Sequence, residues 1–200
     1  MADLNADLMV ELLSAVGDHL AAAQETAGVV VVGGSSLAVQ GWVRRTTADV
    51  DVIAQARREG ETMVLAAPDP LPDALQEAAR RTARDYGLPS DWLNTEVGAQ
   101  WKRGLPEGFE GELEWARYGG LDVGFAGRRG LIALKLFAAV DQGQKSVHVQ
   151  DLVTLAPNRA ELREAADWVA TQDTSEHFAH LVEEVVEHVR SSVERGGKGR

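Results

Sequence analysis

Leu4, Leu8, Val10, Leu12, Leu13, Val16 and Leu20 recur at three- and four-residue intervals, which predicts an amphipathic opening helix that stops before Gly28. The period then changes. Val29, Val30, Val31 and Val32 are all β-branched and end at Gly33-Gly34, the pattern of a short strand buried on both faces. Ser35 or Ser36 stands where it can cap a short helix over Leu37 to Gln40, closed by Gly41. Val50, Val52 and Ile53 mark a second strand, and alternation along it sends Asp49 and Asp51 to one face.

A loop with Pro68, Pro70 and Pro72 leads into a predicted helix from Asp73 to Tyr86, with Gly87 at its end and Pro89 beyond. Leu113 to Tyr118 and Leu121 to Phe125 read as two strands joined at Gly119-Gly120. Leu131, Leu134, Phe137, Ala138 and Val140 predict an apolar helix that also carries Lys135. Pro157 breaks the next segment, and helices follow over Arg159 to Thr171 and Ser175 to Glu194. The expected organisation is a core over residues 1–157, C-terminal helices over 158–194 packed on it, and a disordered tail over 195–200.

Composition narrows the function classes. With 200 residues, 44% of them hydrophobic, the chain buries one good core but hardly two full domains. There are no cysteines, so disulfides and thiolate metal sites are excluded. The beginning of the chain lacks a basic leader and no apolar run is long enough for a bilayer, so a cytoplasmic location without membrane contact is expected. A net charge of -11 argues against a broad basic surface for DNA or RNA. Trp42, Trp92, Trp101, Trp115 and Trp168 are scattered rather than interleaved with a basic stripe, and read as core or rim anchors. His177 and His180 lack a third ligand at a supporting position and read as surface residues.

The candidate chemistry lies between residues 33 and 51. Glycines at 33 and 34 let main-chain N–H groups approach a ligand, and together with Ser35 and Ser36 they form a candidate phosphate cradle. Asp49 and Asp51 supply hard oxygen ligands that suit Mg2+. A cradle upstream of two metal-binding carboxylates is what nucleotidyl transfer requires: triphosphate on one side, metal on the other. No Gly-Lys-Ser/Thr or G-x-G-x-x-G pattern points to other phosphate binders. Lys135 is costly on an apolar helix unless it meets an anion, either a ligand phosphate or a structural partner such as Asp151 or Asp49.

The run Gly33-Gly34-Ser35-Ser36-Leu37-Ala38, continued by Arg45, Thr47 and Asp49-Val50-Asp51, resembles the opening motif of AbiEii-type nucleotidyltransferases, minimal members of the DNA polymerase β superfamily. Asp91-Trp92-Leu93-Asn94, Leu134-Lys135-Leu136-Phe137-Ala138, and Lys145, His148 and Asp151-Leu152 are similar to later segments of that group. The resemblance implies a mixed α+β fold, with a polymerase β-like core sheet flanked by helices and a helical C-terminal part. It implies that Ser35 and neighbouring N–H groups hold triphosphate, that Asp49 and Asp51 bind magnesium, that Lys135 touches phosphate, and that Asp151 joins the active site. Asp91, Trp92 and Asn94 fall on the acceptor side or in packing. No third carboxylate stands out: Asp122 is the best candidate, with Glu112 and Glu114 behind it, and a solvent-facing acid is the favoured account of each. The implied activity is transfer of a nucleoside monophosphate from a nucleoside triphosphate to RNA, such as a tRNA end, or to a protein. A toxin-like role with an antitoxin partner comes with it. The alternative is a non-catalytic module of the same fold that binds nucleotide or a partner protein.

Overall fold

The computed structural model describes residues 4–197. The chain forms two compact units: one runs to Leu105 and takes in Glu110–Ala126, and the other combines Pro106–Phe109 with the chain from Gly127 onward.

The first unit is built around a sheet. Helix α1 (Ala6–Ala22) is capped by Asn5, whose side chain accepts from the Leu8 N–H, and it buries Met9, Leu12, Leu13, Val16 and Leu20 on the predicted stripe. It is followed by β1 (Ala27–Val32), α2 (Gly33–Val39), β2 (Val50–Glu59), β3 (Thr62–Ala66), α3 (Asp73–Tyr86), β4 (Leu93–Asn94), α4 (Ala99–Arg103), β5 (Glu114–Tyr118) and β6 (Leu121–Phe125). The sheet has six strands in the order β3-β2-β1-β6-β5, with β4 beside the start of β2. β1 lies at its centre, antiparallel to β2 and parallel to β6, which is why its valines are buried on both faces. Helix α1 packs on α3 and on the β5–β6 hairpin.

The register between β1 and β2 slips by one residue. Val30 faces Ala54 and Val31 faces Val52, so Ile53 is the extra residue of a bulge. Beyond it, Asp51 stands opposite Val32 and shares that residue's face of the sheet.

One expectation needs correction in this unit, and two strands appear that the sequence pattern does not announce. Helix α2 begins at Gly33 with Val32 in the cap position and no side-chain cap; Ser35 and Ser36 lie inside the helix, fully buried. The cause is Gly33, whose φ of 72° turns the strand straight into the helix and leaves no loop residue to act as a serine cap. Strand β2 runs on to Glu59 and turns into β3, a hairpin that Gln55, Arg57, Arg58 and Glu59 disguised with polar side chains. Arg57, Arg58 and Glu59 are exposed and pair with β3 beyond the pairing with β1, which ends at Ala56, so nothing there requires apolar side chains. β4 is too short to leave a periodic signal.

The second unit is helical: α5 (Arg128–Gln142), α6 (Val147–Leu155), α7 (Arg159–Ala170) and α8 (Glu176–Gly197). Thus α5 and α6, grouped in sequence with the core, cluster with the C-terminal helices. α5 packs on the other three and buries Leu131, Ile132, Leu136 and Ala139. Phe137 sets its ring edge-on to Trp168 at 6.1 Å and to Phe178 at 6.4 Å. α6 stops at Ala156 in the left-handed region, just before Pro157, and α7 starts from a capping box between Asn158 and Glu161. Arg128 joins α5 to that start through Glu161 at 2.7 Å and the Leu155 carbonyl at 2.8 Å. Helix α8 continues to Gly197, so residues 195–197, expected in the tail, are helical, and 198–200 lie outside the described residues. Among the described residues no helix is long and apolar enough to cross a membrane.

Gly17 offers a test of the packing of the sheet unit. Helix propensity alone favours alanine there by about 1 kcal/mol. A Cβ, however, would overlap the Tyr118 main-chain carbonyl, and the Gly17 carbonyl accepts the Gly120 N–H at 2.9 Å. Gly17→Ala is expected to destabilise the protein by about 1–3 kcal/mol, as overpacking does. A urea midpoint that rises instead would refute this helix–hairpin contact.

Candidate active site

Gly33-Gly34 is the point on which the sheet unit's chemistry converges. Gly33 ends β1 with a positive φ, and a Cβ on it would overlap a carboxylate oxygen of Asp51. Glycine is therefore required by the backbone turn, and its bare main chain also lets the acid approach closely. Gly34 has no such φ and is less tightly approached: a Cβ there would stand 2.9 Å from Nη2 of Arg45 and 3.0 Å from Oγ1 of Thr47. Thr47 in turn makes a weak contact with Oδ1 of Asp49, at 3.5 Å. The turn is thus bordered by Asp51 directly and by Asp49 through Thr47.

The segment that carries these groups is fixed at several points. Thr47 exchanges both main-chain hydrogen bonds with Leu4, at 2.8 and 3.0 Å, and the Val50 N–H donates to the Trp92 carbonyl at 2.6 Å. Arg45 Nη1 donates to the Thr46 carbonyl at 3.0 Å. Asp49 immediately precedes β2 and Asp51 is its second residue; both are half-buried.

The serines serve the turn itself. Ser35 Oγ donates to the Val32 carbonyl at 2.9 Å, and Ser36 Oγ accepts from Nε2 of Gln40 at 2.9 Å, a nitrogen that also reaches the Ala126 carbonyl at 3.0 Å. Both hydroxyls are thus buried and engaged within the fold, so neither serine side chain is turned toward a ligand. Gln40, which ties α2 to the end of β6, went unremarked in the sequence because nothing local signals so distant a partner.

The third-carboxylate candidate lies elsewhere. Asp122 pairs with Gly28 across the sheet, whereas Asp51 pairs with Val32, four residues further along the same strand. At roughly 3.3 Å per residue the two acids are about 13 Å apart along β1. Asp122 is held instead by Arg58 at 3.3 Å and lies 4.0 Å from Arg117. The strand neighbour of Asp51 on β4 is Asn94, paired with it in parallel register. Asn94 also borders a pocket of about 720 Å³ whose lining includes Asp69, Arg80, Asp91, Glu96 and Lys102 over Leu93 and Ala79. Trp92 is buried and donates Nε1–H to the Ala79 carbonyl at 3.1 Å, so it packs rather than faces that pocket.

Lys135 and Asp151 belong to the helical unit. There they meet each other at 2.8 Å, with side chains only 6% and 2% exposed. The pair joins α5 to α6. Among the described residues no group of three or more His, Cys, Asp or Glu is arranged to hold a metal ion.

A mixed sheet with a glycine turn at its central strand and two acids on the adjoining strand defines a nucleotidyltransferase-like fold. Residues 9–157 match a family model described as nucleotidyltransferase of unknown function (DUF6036), and the chain belongs to that family. Comparison with curated proteins and with solved structures gives no significant match.

The Lys135–Asp151 pair has a measurable structural share. Lys135→Met leaves Asp151 buried without its cation, which typically costs about 3–5 kcal/mol. Adding Asp151→Leu to that variant is expected to recover most of the loss, since apolar replacement of a whole buried pair is near neutral. Urea unfolding of the full chain decides: a double variant no more stable than the single one would show that the pair does not behave as an isolated buried ion pair.

Proposed function

We propose that this protein is a magnesium-dependent enzyme that transfers a nucleoside monophosphate from a nucleoside triphosphate to an acceptor. The supporting observation is the placement of the Asp51 carboxylate against Gly33, with Asp49 linked to Gly34 through Thr47. One edge then offers main-chain donors for phosphate oxygens beside two carboxylates for a divalent ion. When bound, magnesium supplies Lewis-acid stabilisation of the phosphoryl charge. Asp49 and Asp51 hold it, and the turn orients the triphosphate beside it. An acceptor hydroxyl attacks the α-phosphorus, forming a new P–O bond. The bond from the α-phosphorus to the bridging oxygen breaks, pyrophosphate leaves with the electron pair, and the hydroxyl proton passes to a carboxylate oxygen of the pair.

The pocket beside Asn94 is the acceptor side in this reading, since β4 adjoins the start of β2. An RNA end, tRNA included, or a protein side chain enters there, and the AbiEii-like motif order supports a toxin-like role with an antitoxin partner.

A second reading, a non-catalytic module that binds nucleotide or a partner protein, draws on the carboxylate count. Asp122 lies at the far end of β1 and Asn94 takes the place beside Asp51. Incubation with labelled nucleoside triphosphates, magnesium and total RNA or cell extract separates the two. Label transfer is expected, falling at least about 100-fold in Asp49→Ala with Asp51→Ala, as loss of several kcal/mol of metal stabilisation requires. Nucleotide binding without any transfer would establish the second reading instead.

A further inference from the structure

We propose that a pocket on the Asp51 face of the sheet holds the base of the nucleotide, an inference that rests on triphosphate binding at the Gly33-Gly34 turn. The pocket, of about 490 Å³, lies between the β2–β3 hairpin and the chain that leads into β5. Met63 and Leu65 stand on one side of it, Leu113 and Trp115 on the other.

Strand pairing fixes its face. Asp51 stands opposite Val32 and Ala56 opposite Gly28, both on β1, and Leu65 pairs with Ala56. From the other edge, Trp115 pairs with Gly124, which pairs with Val30. Residues 28, 30 and 32 of β1 share a face, and so do residues directly opposite one another in a ladder, so Asp51, Leu65 and Trp115 all project from one side of the sheet. At roughly 3.3 Å per residue, the levels of Trp115 and Leu65 fall about 7 and 13 Å along β1 from that of Asp51. One extended nucleotide spans that range, with its phosphates at the turn and its base over the middle of β1. The pocket beside Asn94 adjoins the start of β2, so acceptor and base have separate places.

The lining suits a flat, neutral ring. A Cβ on Gly124 would stand 2.9, 3.0 and 3.1 Å from three adjacent carbons of the six-membered ring of Trp115. Such nearly equal distances mean that the ring lies face-down on the glycine, because an edge-on ring would bring one carbon much closer than its neighbours. The residue stays half-buried, which leaves the opposite face of the indole for a second ring. Phosphate suits this pocket poorly. Arg58, the cation of its lining, is matched by Asp122 at 3.3 Å, and Glu61 and Glu110 add negative charge. Stacking on an aromatic face needs no charge, and every base has a face to offer.

Calorimetric titration of the full-length protein with magnesium tests this, with the four ribonucleoside triphosphates and inorganic tripolyphosphate as probes. Trp115→Ala is expected to weaken nucleoside triphosphate binding about tenfold, the loss of one base–aromatic stack, while tripolyphosphate binding changes less than about twofold. Trp115→Phe keeps a ring and recovers most of the loss. Met63→Ala removes the facing wall but leaves the indole on Gly124. It gives a smaller loss of the same selectivity, about threefold, and decides if Trp115→Ala does not fold. Bound nucleoside triphosphate also quenches indole fluorescence in the wild type and much less in Trp115→Phe. Nucleoside triphosphate binding unchanged in Trp115→Ala, an equal loss for tripolyphosphate, or undiminished quenching in Trp115→Phe overturns the proposal and leaves the nucleotidyltransferase reading intact. Failure of the wild-type protein to bind any triphosphate overturns both.

Discussion

The contact between the Asp51 carboxylate and the main chain of Gly33 is the constraint on which the rest of the candidate site depends. It needs a strand that stops in a left-handed residue, and it needs the acid on the adjoining strand to face that turn. The first condition is met by Gly33, with a φ of 72°. The second is met by the bulge at Ile53. In unbroken register, alternation would put Val52 opposite Val32 and turn Asp51 to the other face of the sheet. One extra residue reverses that parity, which is a recurrent use of bulges beside functional residues. Sheet geometry therefore sets the face to which the carboxylate is turned.

Two kinds of charge are handled differently in this chain. Lys135 and Asp151 are almost fully buried and lie in direct contact, an arrangement in which the cost of removing charges from water is balanced by their partner. Asp49, Asp51 and Arg45 are only half-buried and border a main-chain turn. Water can still reach them, so a ligand can exchange for that water without exposing an apolar core. Half-burial with converging polar groups is what a binding edge requires; near-complete burial with a matched partner gives rigidity first.

Much of the fold was legible because long elements carry their own period. The helix over Asp73–Tyr86, the hairpin around Gly119-Gly120 and the C-terminal helices all follow from spacing and stop signals. The local part of the site was equally legible, since Gly33-Gly34 and Asp49-Val50-Asp51 declare a turn and a carboxylate pair. What failed to show was non-local. Nothing near Ile53 announces a bulge, because the slip exists only against β1. Nothing near Asn94 announces that it stands beside Asp51, because a two-residue strand has no period. The place of Asp122 is hidden for the same reason: its acidity is visible in the sequence, but its position along β1 depends on the pairing of β6. Arg45 carries no local signal of its neighbour, and its place against Gly34 shows only in the fold.

The net charge of -11 bears on how any polyanion would be held. A field of that sign slows the approach of nucleic acid and contributes nothing to non-specific affinity, which comes from phosphate neutralisation. On the proposed reading, a triphosphate arrives with its own magnesium and meets a small set of fixed donors, so the global field matters little to it. An acceptor has no such escort. It must be captured by local contacts, and the pocket beside Asn94, with Arg80 and Lys102 set among Asp69, Asp91 and Glu96, has nearly balanced charge. Such a surface selects by shape and hydrogen bonding at short range, which favours one defined acceptor end over a long stretch of nucleic acid.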